Sequence, residues 1–308
     1  MGSDPLPDYV EKFVETLKGF LASFGVELLD CTDEQRTAPQ TRVYEFSQQE
    51  GRTSLVVHRT LRSLDKEVGE YRARVATELP RELGLASVRA EGAINKFASL
   101  GAFTTHHEGA NVLCQSLIQE TSSQTTAGIM AAAMVHAAPS ILQGIQAVLG
   151  PQAPDPLHAL SAWSDVDFEQ IHYDYAHLAV GTIMRRGWLQ SLMDGGELAL
   201  EAVDDNPYWG GGLFIKLRPG PDFFRGNDHQ ISINELNLAT WLADDAPMFG
   251  AWCEHEDSVW FISFAPNFLK DLPGFADLMI DAAMIRNQAI GDLVKMVLAA
   301  RSKSEPLN

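Results

Sequence analysis

Apolar residues recur at helical spacing near the start of the chain. Between Tyr9 and Phe24 they follow the i, i+3, i+4, i+7 pattern, at Val10, Phe13, Val14, Leu17, Phe20 and Leu21. This spacing gathers them on one face of an amphipathic helix. Asp8 is expected as the N-cap with Glu11 as its capping-box partner, and Gly25 as the C-terminal stop. The first predicted element is therefore a helix that buries one face.

Segments with strand character follow, and their short connections favour hairpins. The predicted strands of the first half are 41–46, 53–58, 71–75, 102–105 and 111–118, with a short helix at 92–100. The polar turn that ends in Glu50-Gly51 is typical of a hairpin, and hairpins imply antiparallel pairing. A long Ala- and Met-rich helix is predicted at 125–149, bent or broken at Pro139. The predicted class is α+β, with small antiparallel sheets packed against helices.

The second half repeats this order less regularly. A helix is predicted from Asp165 or Asp167 to Gly187, and a last helix at 275–300. Between them the predicted elements are strands at 197–203, 212–217, 248–254 and 258–265 and a helix at 234–242. A third strand before that helix is not evident, because 219–228 has the composition of a loop.

Comparison of the chain with itself indicates an internal duplication. Gly101-Ala102-Phe103 returns 149 positions later as Gly250-Ala251-Trp252, and Ala132-Ala133-Met134-Val135 returns 150 positions later as Ala282-Ala283-Met284-Ile285. Val148-Leu149 also returns after 149 positions. Fixed offsets in the same order are typical of a repeated supersecondary unit. The predicted units are 1–150 and 162–308, joined by a Pro-rich linker at 151–161.

The second unit resembles a known family at two motifs. These are Ile233-Asn234-Glu235-Leu236-Asn237 and Val259-Trp260-Phe261-Ile262-Ser263-Phe264, and weaker versions are Ala93-Ile94-Asn95-Lys96-Phe97 and Val112–Leu117. They are similar to the YbjN family, whose members look like class I type III secretion chaperones. The resemblance implies a non-catalytic, cytoplasmic domain that binds extended peptide segments, without implying a secretion system. Two fused units imply an intramolecular pseudo-dimer.

Aromatic residues of the second unit are the candidates for peptide contact. All six tryptophans lie at or after Trp163, and strand 258–265 is apolar on both faces. Either every aromatic belongs to the core, or part of this surface is exposed and accepts a peptide by strand addition at a sheet edge. The candidate residues for such contact are Trp241, Trp252, Trp260 and Phe264, with Leu113 and Leu117 as weaker equivalents in the first unit.

Composition and charge narrow the possible partners. The 308 residues include 23 Lys and Arg against 41 Asp and Glu, a formal net charge of −18. Such a surface repels nucleic acid and anionic lipid and steers basic or neutral clients toward it. No run approaches the roughly 18 consecutive apolar residues of a membrane span, no export signal is evident, and three scattered cysteines do not suggest a disulfide framework. A cytoplasmic protein with a polypeptide partner, and possible homodimerisation, is expected.

Motifs for catalysis or metal binding are weak. His106-His107-Glu108 is expected at a hairpin tip, Cys253 and His255 supply only two ligands, and Glu169 with His172 lacks the partner motif of a di-iron site. Nucleophile-elbow and zincin motifs are missing from the sequence. A non-enzymatic binding protein without metal or cofactor is the expectation. The alternative is a small-molecule sensor with a pocket between the two units, and an enzyme with a non-standard site stays open as a third.

Overall fold

A computed structural model describes most of the chain. The described residues are 5–33, 38, 40–48, 51–60, 70–81, 90–97, 100–106, 109–150, 177, 181–185, 196–206, 208–220, 231–243, 247–255 and 258–304. They form two antiparallel sheets, of six and four strands, packed with α-helices. The predicted α+β class is confirmed.

Helix α1 spans Asp8–Ser23 and buries the predicted apolar face. The predicted capping box is wrong, because the carbonyl of Pro7 accepts the first helical bonds from the N–H groups of Val10 and Glu11, and no side chain caps the helix. Asp8 instead lies inside the first turn, where its carboxylate interacts favourably with the positive end of the helix dipole. Gly25 ends the helix as predicted: its φ is +73°, a left-handed conformation that glycine adopts at low cost.

The first sheet contains six strands, and its predicted hairpins are confirmed. The strands are β1 (Leu29–Asp30), β2 (Thr41–Gln48), β3 (Gly51–Arg59), β4 (Tyr71–Leu79), β5 (Ala102–His106) and β6 (Gly109–Ile118). Their order in the sheet is β1-β2-β3-β4-β6-β5, and every neighbouring pair is antiparallel.

The second sheet contains four strands. They are β7 (Glu197–Asn206), β8 (Gly210–Arg218), β9 (Ala251–His255) and β10 (Ser258–Pro266), in the order β7-β8-β10-β9. The predicted strand 248–254 is partly wrong: Met248 pairs with Gln115 of β6 in the first sheet, with both backbone bonds between the two residues formed. The second half of the chain therefore extends the first sheet at this point.

Four further α-helices have both ends within the described residues. They are α2 (Glu91–Ile94), which continues as a 3₁₀ turn (Asn95–Phe97), α3 (Ser123–Leu149), α4 (Ile233–Leu242) and α5 (Phe275–Ser304). Helix α3 continues through Pro139, so a break there is wrong, and the alternative of a bend stays a prediction. The helix predicted to end at Gly187 lies largely outside the described residues, which there include His177 and 181–185 in helical conformation, and the Pro-rich linker lies outside them too.

One large core connects the two sheets. It joins Tyr71 and Val75 of β4 to Ile215 and Leu217 of β8, together with apolar residues of α1, α3 and α5. The duplicated motifs Ala132-Ala133-Met134 of α3 and Ala282-Ala283-Met284 of α5 are both buried in it. The inner faces of both sheets and the long helices thus share a single apolar interior.

Among the described residues, one helix is long and apolar enough to cross a bilayer. This helix is α3, and 72% of its most apolar 18-residue stretch is buried inside the protein. Buried core helices of soluble proteins often have the same length and apolar composition. Its burial accounts for its composition without a membrane.

The two sheets have four strands in a common order. β3-β4-β6-β5 and β7-β8-β10-β9 follow the same path. The register of the β5–β6 hairpin corresponds to that of the β9–β10 hairpin with an offset of 149 residues, as in Ala102↔Leu113 and Ala251↔Ile262. This agreement supports the duplication, which itself stays a prediction. The first sheet has two extra strands, β2 and β1, beyond β3.

Candidate functional site

The predicted aromatic residues lie in the interior. Trp252 and Phe264 are fully buried, and Trp260 and Leu113 are nearly so, whereas Trp241 and Leu117 are half-buried. The Trp252 indole donates to Thr240 Oγ1 at 3.0 Å, and the ring of Phe264 packs 4.8 Å from that of Phe214. This burial favours the alternative that these aromatics form core, and their role in peptide contact stays a prediction.

Two of these tryptophans lie beneath guanidinium groups. Arg74 Cζ is 5.1 Å from the ring centre of Trp241, and Arg218 Cζ is 5.5 Å from that of Trp260. A cation over an indole face is attracted to the ring and covers its apolar surface. The cations therefore shield both tryptophans from solvent.

The second half covers the outer face of β6, the face that carries Leu113 and Leu117. Gln115 on that face donates to the carbonyls of Thr240 and Ala243 at the end of α4, each at 3.1 Å. The fully buried Arg72 of β4 also donates to Ala243 O, at 2.6 Å. Donors suit the carbonyl end of a helix, where the last backbone oxygens have no partner within the helix. The predicted pair Leu113 and Leu117 thus borders an internal contact.

Three asparagines join helices to edge strands. Asn95 bonds both the N–H and the C=O of Phe103, and Asn237 bonds both groups of Trp252. Asn234 makes the same pair of bonds to Thr105 across the two halves, at 2.8 and 2.9 Å. The sequence reasoning assigned no role to these amides, although an Asn in a short apolar helix was a visible signal. They hold α2 and α4 against β5 and β9.

Glu91 lies beside this contact between the halves. Its carboxylate accepts from Thr105 Oγ1 at 2.9 Å and from the backbone N–H of Asn234. Burial raises the pKa of Glu91; these two bonds lower it in part, and nearby Glu235 and Glu254 raise it further. A carboxylate with these neighbours favours its protonated form more than it does in water.

Strand β7 forms an edge of the second sheet. Among the described residues it pairs with β8 alone, whereas β3 at the corresponding position is also paired with β2. The side chains of Glu197 and Glu201 are about half exposed, at 49% and 56%, and form ion pairs with Arg218 and Lys216 of β8. We call the outer side of β7 the open edge. It presents backbone groups with acidic side chains beside them.

Three aromatic rings from both halves surround His136 of α3, and we call these four residues the His136 cluster. The imidazole centre is 5.2 Å from Trp209, 5.5 Å from Phe24 and 6.0 Å from Phe268. Trp209 is buried, but Phe24 and Phe268 are 38% and 48% exposed. Burial lowers the pKa of His136, so its ring is neutral at pH 7. The sequence reasoning did not single out this cluster.

The described residues include two buried thiols and no cluster of metal ligands. Burial raises the pKa of Cys114, and raises that of Cys253 to about 12, so both stay protonated thiols at neutral pH. Within the described ranges, no three His, Cys, Asp or Glu side chains are placed to hold a metal ion. His107, Glu108, Glu169 and His172 lie outside those ranges.

No family model, curated protein or solved structure matches this chain. The resemblance to YbjN proteins therefore remains an expectation from the sequence motifs.

Proposed function

We propose that this protein is a non-enzymatic, chaperone-like polypeptide-binding protein that takes an extended segment of its client as an added strand. The client strand pairs with the open edge of β7. The observation that carries this proposal is the difference between corresponding strands: β3 has neighbours on both sides, and β7 has one among the described residues. A free strand edge offers a row of N–H and C=O groups that an extended chain satisfies by pairing.

Charge along the open edge selects the client. Glu197 and Glu201 point to the same face of β7, and each already pairs with a cation of β8. A client strand with Lys or Arg at alternate positions brings a second cation beside each half-exposed carboxylate. Pairing of β7 with a second copy of itself, centred on Ala199, instead brings Glu197 opposite Glu201, which is unfavourable. The net charge of −18 favours the same choice by steering basic segments toward the surface. A basic, extended client fits better than a homodimer.

The two halves act as an internal pair in this proposal. The amide bonds of Asn234 to Thr105 and the strand pairing of Met248 with Gln115 join them. The edge strands β5 and β9 are packed against helices of the opposite half, Gly92 of α2 lying against the Glu254 side chain of β9. These edges are thereby occupied. The first sheet also ends at β1, but that strand has only two residues, so the open edge of β7 is the longer described edge for a client.

Fluorescence anisotropy with a defined probe tests the proposal. The probe is a short labelled peptide that alternates lysine and valine, and its control replaces each valine by proline, which keeps the charge but cannot pair as a strand. We expect the control to bind the full chain at least about tenfold more weakly. Equal binding of the two peptides would show that attraction is electrostatic only and would contradict strand addition.

A matched pair of charge variants locates the site. Glu197→Lys/Glu201→Lys reverses the charge beside the open edge, whereas Glu11→Lys/Glu15→Lys makes the same change in net charge on the exposed side of α1. We expect the first variant to lose most of its affinity for the lysine–valine probe and the second to retain it. Similar losses in both would place the binding elsewhere. Light scattering of the free protein measures its mass and so shows whether it forms a homodimer.

A further inference from the structure

The His136 cluster includes a residue of the turn that follows β7. β7 ends at Asn206, whose side-chain oxygen accepts the backbone N–H groups of Tyr208 and Trp209 at 3.1 and 3.0 Å. These bonds hold the turn between β7 and β8, and with it the Trp209 ring that packs against His136. The cluster therefore adjoins the turn that directly follows β7.

The cluster combines exposed aromatic surface with an unused donor. Phe24 and Phe268 come from α1 and from the turn after β10, and their ring centres are 6.5 Å apart. The indole N–H of Trp209 is buried and finds no acceptor among the described residues. A buried donor without an acceptor is unfavourable, and an oxygen atom of a bound group would satisfy it. Aromatic residues are enriched in the cores of binding interfaces, and tryptophan is enriched in their hot spots.

We propose that the His136 cluster is the anchor site for an aromatic side chain at the N-terminal end of the client strand. This inference rests on the proposed function, since the client strand places the anchor. Every strand pair among the described residues is antiparallel, and an antiparallel client has its N-terminus beside the end of β7. The aromatic side chain packs against Phe24 and Phe268, and a client carbonyl accepts the Trp209 N–H.

Three probes of the same length test the position of the anchor. All contain the lysine–valine core, and they carry phenylalanine at the N-terminus, phenylalanine at the C-terminus or alanine at both ends. We expect the N-terminal phenylalanine probe to bind the full chain about tenfold more tightly than the alanine probe, since burial of a phenyl ring has about that effect. The C-terminal phenylalanine probe, which has the same composition, is expected to show no such gain.

A variant and a spectroscopic signal tie the gain to the cluster. Phe268→Ala truncates a half-exposed ring, so the variant is expected to fold, as circular dichroism checks, and to bind all three probes alike. In spectra of protein with ¹⁵N-labelled tryptophan, the indole signal that Trp209→Phe removes is expected to shift only with the N-terminal phenylalanine probe.

The outcomes separate this inference from the proposed function. If the lysine–valine core binds but phenylalanine gives no gain, or gives the same gain at either end, the anchor site is wrong and strand addition stands. A gain that persists in Phe268→Ala also overturns the anchor site. If no probe binds the full chain, the proposed function fails and the anchor site fails with it.

Discussion

The two sheets follow the same strand order but fill one corresponding position in opposite ways. In the first sheet β4 and β6 place Arg72 and Gln115 on the outer face, where both bind carbonyls at the end of α4. By register, the corresponding residues of β8 and β10 are Gly212 and Phe264. The Phe264 ring lies over Gly212, so close that a Cβ there would be 2.5 Å from ring atom Cζ. One sheet uses a polar contact, and the other an apolar one.

This difference shows how a common topology accommodates different neighbours. The first sheet receives the carbonyl end of a helix, which requires donors. At the corresponding place in the second sheet, an aromatic ring packs directly on the backbone of the adjacent strand, which only glycine permits. Strand order and register are therefore compatible with either solution. The covering element decides which one is stable.

Removal of the polar contact is expected to have the largest effect on stability. Arg72→Ala leaves a cavity and withdraws a charged donor from Ala243 O, so we expect a loss of about 3–4 kcal/mol in the free energy of unfolding. Urea denaturation measures it. The exposed Arg52→Ala serves as the control and is expected to leave the midpoint nearly unchanged. If the denaturation midpoint of Arg72→Ala changes as little as that of the control, the contact with α4 contributes little to stability.

The asparagines that bond edge strands offer a like-for-like comparison of the halves. Asn95→Ala and Asn237→Ala each leave the N–H and C=O of one buried strand residue without its side-chain partner. We expect each to lose about 2–4 kcal/mol, since an unsatisfied buried group costs about 1–3 kcal/mol. Equal losses in urea denaturation support equivalent roles. A loss of stability in only one of the two variants would show that the two amides do not have equivalent roles.

The apolar contact is tested by adding a methyl group. In Gly212→Ala the new Cβ meets Ala265 O and Phe264 Cζ, each at 2.5 Å, so strand or ring must shift. We expect a loss of about 1–3 kcal/mol, as for other overpacked sites. A second change, Phe264→Leu, removes the ring but not the clash with the carbonyl. It is therefore expected to recover only part of the loss, and full recovery would mean that the backbone clash is harmless.

The smallest expected effect is a pH dependence at the contact between the halves. Burial raises the pKa of Glu91, so its ionised form destabilises the folded state. This cost is present above the folded-state pKa and vanishes as the pH falls toward the ordinary value of 4.5. Glu91→Gln is therefore expected to be more stable than the unchanged protein at pH 7, by less than about 1 kcal/mol. Thermal melts at several pH values check that the two converge in acid, and a constant difference would contradict this cause.

Local pattern was sufficient for most of the secondary structure. The apolar stripe of α1, the stop at Gly25 and the strands on either side of short polar turns follow from side-chain spacing and turn chemistry, which act between near neighbours. The cap of α1 was mispredicted because Pro7 begins the helix with its own carbonyl. A bend or a break was expected at Pro139, and α3 continues unbroken through it in the buried core.

The candidate site was less accessible to sequence reasoning. The aromatic character of Trp252 and Phe264 was evident, but whether they face a client or a neighbouring strand depends on what packs over them. His136, Trp209, Phe24 and Phe268 are scattered along the chain and meet only after both halves have folded. No spacing rule links them.

The amino-acid order thus settled which segments become helix or strand, because that choice depends on propensity and periodicity over a few residues. Contacts across more than a hundred positions settled the rest: that Arg72 reaches Ala243, that Met248 pairs in the first sheet, and that β7 has one strand neighbour among the described residues. Such contacts are selected by the shape and polarity of the surfaces that meet. Those surfaces exist only once the elements are assembled.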